Sequence, residues 1–171
     1  MIQKAKEFAK EAHKLQKRKY TGEPYFVHLD EVANLVELVG GTEPMIVAAY
    51  LHDVIEDTST TLETIKKEFG WYSALLVNWL TDISKPSDGN REIRKNMDRC
   101  HLAMAIPEAK TIKLADLISN AKSIVQHDRH FAVVYLKEKE LLLPFLKEGN
   151  QILYKMAGDI LIQSKLALME T

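Results

Sequence analysis

Four ionisable residues stand where helical periodicity asks for apolar ones. His28 follows Tyr25-Phe-Val, His52 and Asp53 close the run Met45-Ile-Val-Ala-Ala-Tyr-Leu, and Asp116 interrupts Ile112-Lys-Leu-Ala-Asp-Leu-Ile. The run after Pro44 is apolar on every side and predicts a buried helix. A carboxylate without a partner is costly there, or changes its protonation. One divalent cation would satisfy all four residues, because imidazole nitrogens and carboxylates are its ligands and its charge offsets the buried anions. Taken singly, each reads more simply as a satisfied core histidine or a locally paired aspartate. The adjacent His52-Asp53 pair is the stronger signal. Successive helical residues point about 100° apart, so they meet only at a compact centre. Two imidazoles and two carboxylates suit manganese, iron or zinc better than calcium. Four protein ligands would leave an octahedral ion open to water and a substrate oxygen.

One helical turn on come Glu56 and Asp57, each four residues after a member of the pair. Carboxylates there could orient or deprotonate the attacking water. They read equally as the polar end of a helix running into the Thr-rich segment Thr58-Ser-Thr-Thr61.

The elements that position these residues are helices. Seven glycines and five prolines punctuate the chain at spaced positions, and the apolar spacing between them is mostly helical. Phe8, Ala12 and Leu15 form the apolar face of a first helix, opposite Glu7, Lys10, Lys14 and Lys17. Val32, Leu35, Val36 and Val39 mark a second, and Thr60-Thr-Leu-Glu63 opens a short helix that Gly70 can close. No alternating strand pair, repeat or low-complexity stretch appears. The expectation is one all-α domain, a helical bundle over residues 1–171 with about eight or nine helices.

The composition fits that reading. Of 171 residues, 46% are hydrophobic and 27% charged, and the net charge is −1, which excludes a globally electrostatic nucleic-acid binder. Cys100 is the lone cysteine, which excludes an intrachain disulfide framework or a cysteine-built zinc site. No apolar run reaches a membrane-spanning length, so a cytoplasmic protein without membrane or nucleic-acid partners is expected. Arg91, Arg94, Lys95 and Arg99 can share one helix face, as a phosphate grip or as solvated surface. Trp71 and Trp79 read as packing residues, and His13, His101, His127 and His130 as structural or surface ones. Leu141-Leu-Leu-Pro-Phe-Leu146 reads as a core helix kinked at Pro144 or as a dimer face, leaving the oligomeric state open.

In order, His28, His52-Asp53 and Asp116 resemble the H…HD…D pattern of HD-domain metal-dependent phosphohydrolases. The segments Arg18-Lys-Tyr-Thr-Gly-Glu-Pro-Tyr-Phe-Val-His28, His52-Asp-Val-Ile-Glu-Asp-Thr58 and Lys113-Leu-Ala-Asp-Leu-Ile-Ser-Asn120 resemble the hydrolase domain of RelA/SpoT-type enzymes. At this length the chain is similar to the stand-alone small alarmone hydrolases, the kind that includes the metazoan SpoT homologue. The resemblance implies a manganese ion, or another divalent transition metal, on His28, His52, Asp53 and Asp116. It implies water activation by Glu56 and Asp57, and hydrolysis of the 3′-pyrophosphate of (p)ppGpp to GDP or GTP and pyrophosphate. It also implies substrate contacts at Arg18, Lys19, Arg94, Lys95, Asn120, Ser123 and Tyr135. Alternatives are a hydrolase of the same fold acting on adenosine alarmones, on the 2′-phosphate of NADPH or on another nucleotide, and a nucleotide sensor without turnover. Leu29, Leu117 and Ser119 depart from the family pattern. Leu117 and Ser119 are expected beside the nucleotide pocket, where they would bear on the base accepted.

Overall fold

Each apolar segment between the Gly and Pro marks becomes a helix. The computed structural model describes residues 1–169. In chain order they form α1 (Ile2–Ala12), α2 (Phe26–Leu38), α3 (Glu43–Leu51), the single turn α4 (Val54–Asp57), α5 (Leu62–Phe69) and α6 (Trp71–Leu80). After a 3-10 turn at Pro86–Asp88 come α7 (Arg91–Ala103), α8 (Pro107–His127) and α9 (Arg129–Leu142), then a second 3-10 turn at Leu143–Leu146 and α10 (Gln151–Met169). Among the described residues nine helices are longer than one turn, and strand-like pairing is confined to a single bridge, Lys17 with Pro24. The all-α expectation holds. No described helix is long and apolar enough to cross a membrane.

α8 is the axis of the bundle. Pro107, whose ring suits a first helical turn, starts it, and its sides pack on α2, α3, α6, α9 and α10. Leu114, Ala115, Leu117, Ile118 and Ala121 of α8 join Leu29, Val32 and Val36 of α2 and nearly all of α3 in one apolar core. α3 is buried all round, as its sequence predicts. That core is the scaffold from which His28, His52, Asp53 and Asp116 project.

Several local expectations are corrected. α1 stops at Ala12, so Leu15 is 90% exposed and Lys14 and Lys17 lie in the following loop. The loop is pinned by its own hydrogen bonds, Gln16 N–H to His13 O and Tyr25 N–H to Gln16 O, which continued helix would forbid. The cap of α5 is Thr61 rather than Thr60; its hydroxyl accepts from Thr64 N–H at 3.2 Å. Gly70 at φ +87° then ends α5 and opens α6, a conformation that strains any residue with a Cβ. Trp71 is 65% exposed rather than packed. Pro144 ends α9 instead of kinking it: Leu142 and Leu146 stay in the core while Leu141 and Phe145 turn outward.

Candidate active site

The metal-like residues meet because a helix breaks. α3 ends at Leu51, and Asp53 takes φ −100° and ψ −3° before α4 begins. Thr58 holds the new turn by donating its hydroxyl to Val54 O at 2.6 Å. In this junction His52 Nε2 and Asp53 Oδ2 come within 3.0 Å, although the residues are sequence neighbours. His28, on the first turn of α2, brings its Nε2 to 3.6 Å from Asp53 Oδ2 and 3.4 Å from Asp116 Oδ1. His52 Nε2 lies 3.9 Å from Asp116 Oδ1. His28, His52 and Asp53 form a set that could hold a metal ion, and Asp116 of α8 closes its fourth side.

The chemistry of this donor set fits a divalent ion. Both Nε2 atoms are buried and lack an aligned hydrogen bond, a rare condition for polar atoms that have no ligand to meet. Burial alone would lower the pKa of His52, but Asp53 and Asp116 outweigh it and hold it up at about 10. His28 is raised for the same reason. Burial would likewise raise the two carboxyls. His52 and His28 at Asp53, and Lys113 with the two imidazoles at Asp116, hold them well below the usual range instead. Imidazole protons thus supply the positive charge that the carboxylates require, and a divalent ion would take their place.

Each of the four side chains is fixed from behind. Ser119 Oγ donates to Glu31 Oε2 at 2.5 Å, so it can only accept from His28 Nδ1 at 2.9 Å. One proton of His28 is therefore held at Nδ1, and Nε2 would offer its lone pair once an ion displaces the second. Glu31 is anchored in turn by Arg18 Nη1 at 3.1 Å. His52 Nδ1 donates to Ala49 O at 2.8 Å, which sets the same tautomer. Tyr25 donates its hydroxyl to Asp53 Oδ2 at 2.6 Å. Asn120 Nδ2 donates to Asp116 Oδ1 at 2.6 Å, and Lys113 Nζ pairs with Asp116 Oδ2 at 2.8 Å. Lys113 lies within a motif segment but was not foreseen as a site residue. Its spacing, three residues before Asp116 on one helix face, was the available signal.

A cleft of about 220 Å³ opens beside this centre, and Asp53, Asp116, Glu56, Lys95, Lys113 and Asn120 line it. Glu56 Oε1 accepts the Asp82 N–H at 2.7 Å. Shielding by the cleft walls and the nearby Asp82 carboxylate push its pKa up to about 7, a value suited to moving protons at neutral pH. Asp57 stands apart from that cleft: it accepts from Gln16 Nε2 at 2.8 Å and so ties down the loop before α2.

The expected substrate contacts divide. Lys95 lines the cleft while paired to Asp82 at 2.5 Å. Arg94, with a buried Nε that has no partner, borders an adjoining hollow together with Glu56. Tyr135 is buried on α9, and its hydroxyl also lacks a partner among the described residues. Arg18 and Ser123 instead line a separate groove of about 660 Å³, larger than the cleft but without any of the metal-like residues. Lys19 lies at Tyr20 Oη, 3.1 Å away, and at Asp128 Oδ2, 3.6 Å away. Leu29 and Leu117 are core residues, and Ser119 supports His28; neither Leu117 nor Ser119 lines the cleft. Trp79 and His101, read from sequence as packing or surface residues, face each other at 4.9 Å in its wall.

Residues 5–140 match the family described as HD domain. Over 124 residues the chain is 44% identical to a guanosine-3′,5′-bis(diphosphate) 3′-pyrophosphohydrolase of Aquifex aeolicus, covering 72% of this chain and 18% of that protein. A probable enzyme of the same name from Synechocystis is 41% identical over 120 residues, covering 68% of this chain and 16% of that one. The chain thus spans less than a fifth of the length of these curated relatives. A solved structure of a metazoan SpoT orthologue, described as hydrolysing ppGpp and acting in starvation responses, superposes with a TM-score of 0.86. It is 28% identical, and the match covers 95% of this chain and 94% of that one.

Proposed function

The chain belongs to the HD domain family, and on that premise we propose that it is a manganese-dependent 3′-pyrophosphohydrolase of guanosine alarmones. It would convert (p)ppGpp and water to GDP or GTP and pyrophosphate. The observation that carries this reading is the pair of orphaned imidazole Nε2 atoms facing Asp53 and Asp116, with Glu56 at about 7 in the same cleft. The names of the relatives and the likeness to the metazoan SpoT orthologue support the substrate.

His28, His52, Asp53 and Asp116 would hold the ion, which supplies Lewis acidity toward the scissile phosphoryl group and lowers the pKa of a water. Glu56 would accept the proton of the attacking water as its oxygen bonds to the phosphorus on the 3′-oxygen. The bond from phosphorus to the ribose 3′-oxygen breaks, and Glu56 returns the proton to the departing oxygen. Lys95, Arg94 and Asn120 receive the phosphorylated nucleotide, and Lys19 and Tyr135 would add further substrate contacts from the loop before α2 and from α9. Arg18 and Ser123 serve from the neighbouring groove, Arg18 through Glu31 and Ser119. Asp57 acts with Glu56 by holding the loop that carries Arg18 and Lys19.

The test is a substrate comparison on manganese-loaded protein: ppGpp, pppApp and NADPH, with released pyrophosphate or phosphate measured. Turnover of ppGpp well above the other two is expected. Turnover of a companion without ppGpp would keep the site and overturn the substrate.

A further inference from the structure

α9 presents Tyr135, Glu138, Lys139 and Leu142 at helical spacing on one face, and the last three line the cleft. Three lysines face this space. Lys95 is paired with Asp82, and Lys113 with Asp116. Glu138, the acid beside Lys139, is taken by Arg91 through two bonds of 2.7 and 2.9 Å. Lys139 is left over: the residue is half-buried, its ammonium makes no hydrogen bond or ion pair among the described residues, and it lies 5.0 Å from the centre of the Tyr135 ring. The hydroxyl of that tyrosine is also buried and unpartnered. A shielded cation without a counter-charge is unfavourable unless a ligand brings one. Burial, then the charge of Lys113, lowers the Lys139 pKa to about 8, so the free cleft works against the charge it carries.

We infer that Lys139 is a substrate-binding residue whose ammonium takes a phosphate oxygen of the nucleotide on the α9 side of the cleft. This rests on the phosphohydrolase reading above. A phosphate there has two sources, the 3′-pyrophosphoryl group and the 5′-diphosphate. The chemistry required of either is the same: an oxyanion compact enough to reach the space between Lys139 and Lys113.

The test is calorimetric binding of inorganic pyrophosphate and of GDP to manganese-loaded wild type, Lys139→Gln and Lys139→Arg. The Gln variant is expected to bind one of the two anions at least about 10-fold more weakly, as for a lost charged hydrogen bond. Weakened pyrophosphate assigns Lys139 to the 3′ group, and weakened GDP to the 5′ group, while the Arg variant keeps most of the affinity. A Gln variant that binds both anions as wild type does, or that loses them only together with its manganese, overturns the inference. Wild type that binds pyrophosphate through Lys139 yet leaves ppGpp intact would overturn the functional reading and keep this one.

Discussion

Replacing Ser119 by Ala removes one hydroxyl and tests whether the outer support of His28 sets the metal site. Ser119 Oγ is the partner of His28 Nδ1 at 2.9 Å, and the imidazole is 1% exposed. A buried donor left unsatisfied costs about 1–3 kcal/mol. The variant also frees His28 to move its proton to Nε2, the atom that must be bare to bind an ion. Borne by the metal-competent state, about 1–3 kcal/mol at 1.4 kcal/mol per decade amounts to about 5–140-fold in affinity. The assay is competition for manganese against a chelator of known affinity, with Ser119→Thr as the variant that keeps the hydroxyl. Glu31→Gln weakens the same chain and should shift affinity in the same direction. Manganese binding by Ser119→Ala within twofold of wild type would refute the reasoning.

Glu56→Gln should keep manganese and lose about 10²-fold or more in turnover, as for a missing proton carrier; an unchanged rate would remove Glu56 from the chemistry. With Glu56 at about 7, wild-type kcat/KM should rise with pH through that value as the carboxyl ionises, and the Gln variant should lack this limb. Asp53→Ala should abolish stoichiometric manganese binding while the helical circular dichroism persists. The stability loss should stay near the about 1–3 kcal/mol expected when the Tyr25 hydroxyl loses its acceptor. Gly70→Ala should cost about 1–3 kcal/mol in urea unfolding, because φ +87° is strained for any Cβ although the space around it is open.

The helices and the four metal-like residues were legible because both rest on pattern. An apolar run such as Met45–Leu51 has only one way to hide its surface, and His52, Asp53 and Asp116 are conspicuous against such runs. What the sequence withheld is where helices stop without a Gly or Pro to stop them. Nothing in Leu51-His-Asp-Val announces the break between α3 and α4, yet that break brings His52 Nε2 and Asp53 Oδ2 to 3.0 Å. The end of α1 at Ala12 was hidden for the same reason: hydrogen bonds within the next loop decide it, and periodicity does not see them. Partners distant in sequence were equally invisible. Ser119 stands beside Asn120 in sequence, but one step along α8 turns it about 100° away from the cleft, toward His28, Glu31 and the groove that Arg18 and Ser123 line. Trp79 and Lys139 reach the cleft from α6 and α9, whose approach depends on how they pack against α8.

The most direct measurement is end-point hydrolysis of ppGpp by metal-stripped protein, with and without added manganese. Pyrophosphate and GDP are expected in equal amounts only when manganese is present, with half-maximal rate at the manganese concentration that half-fills the site. Undiminished hydrolysis after complete metal removal, or none at a filled site, would contradict it.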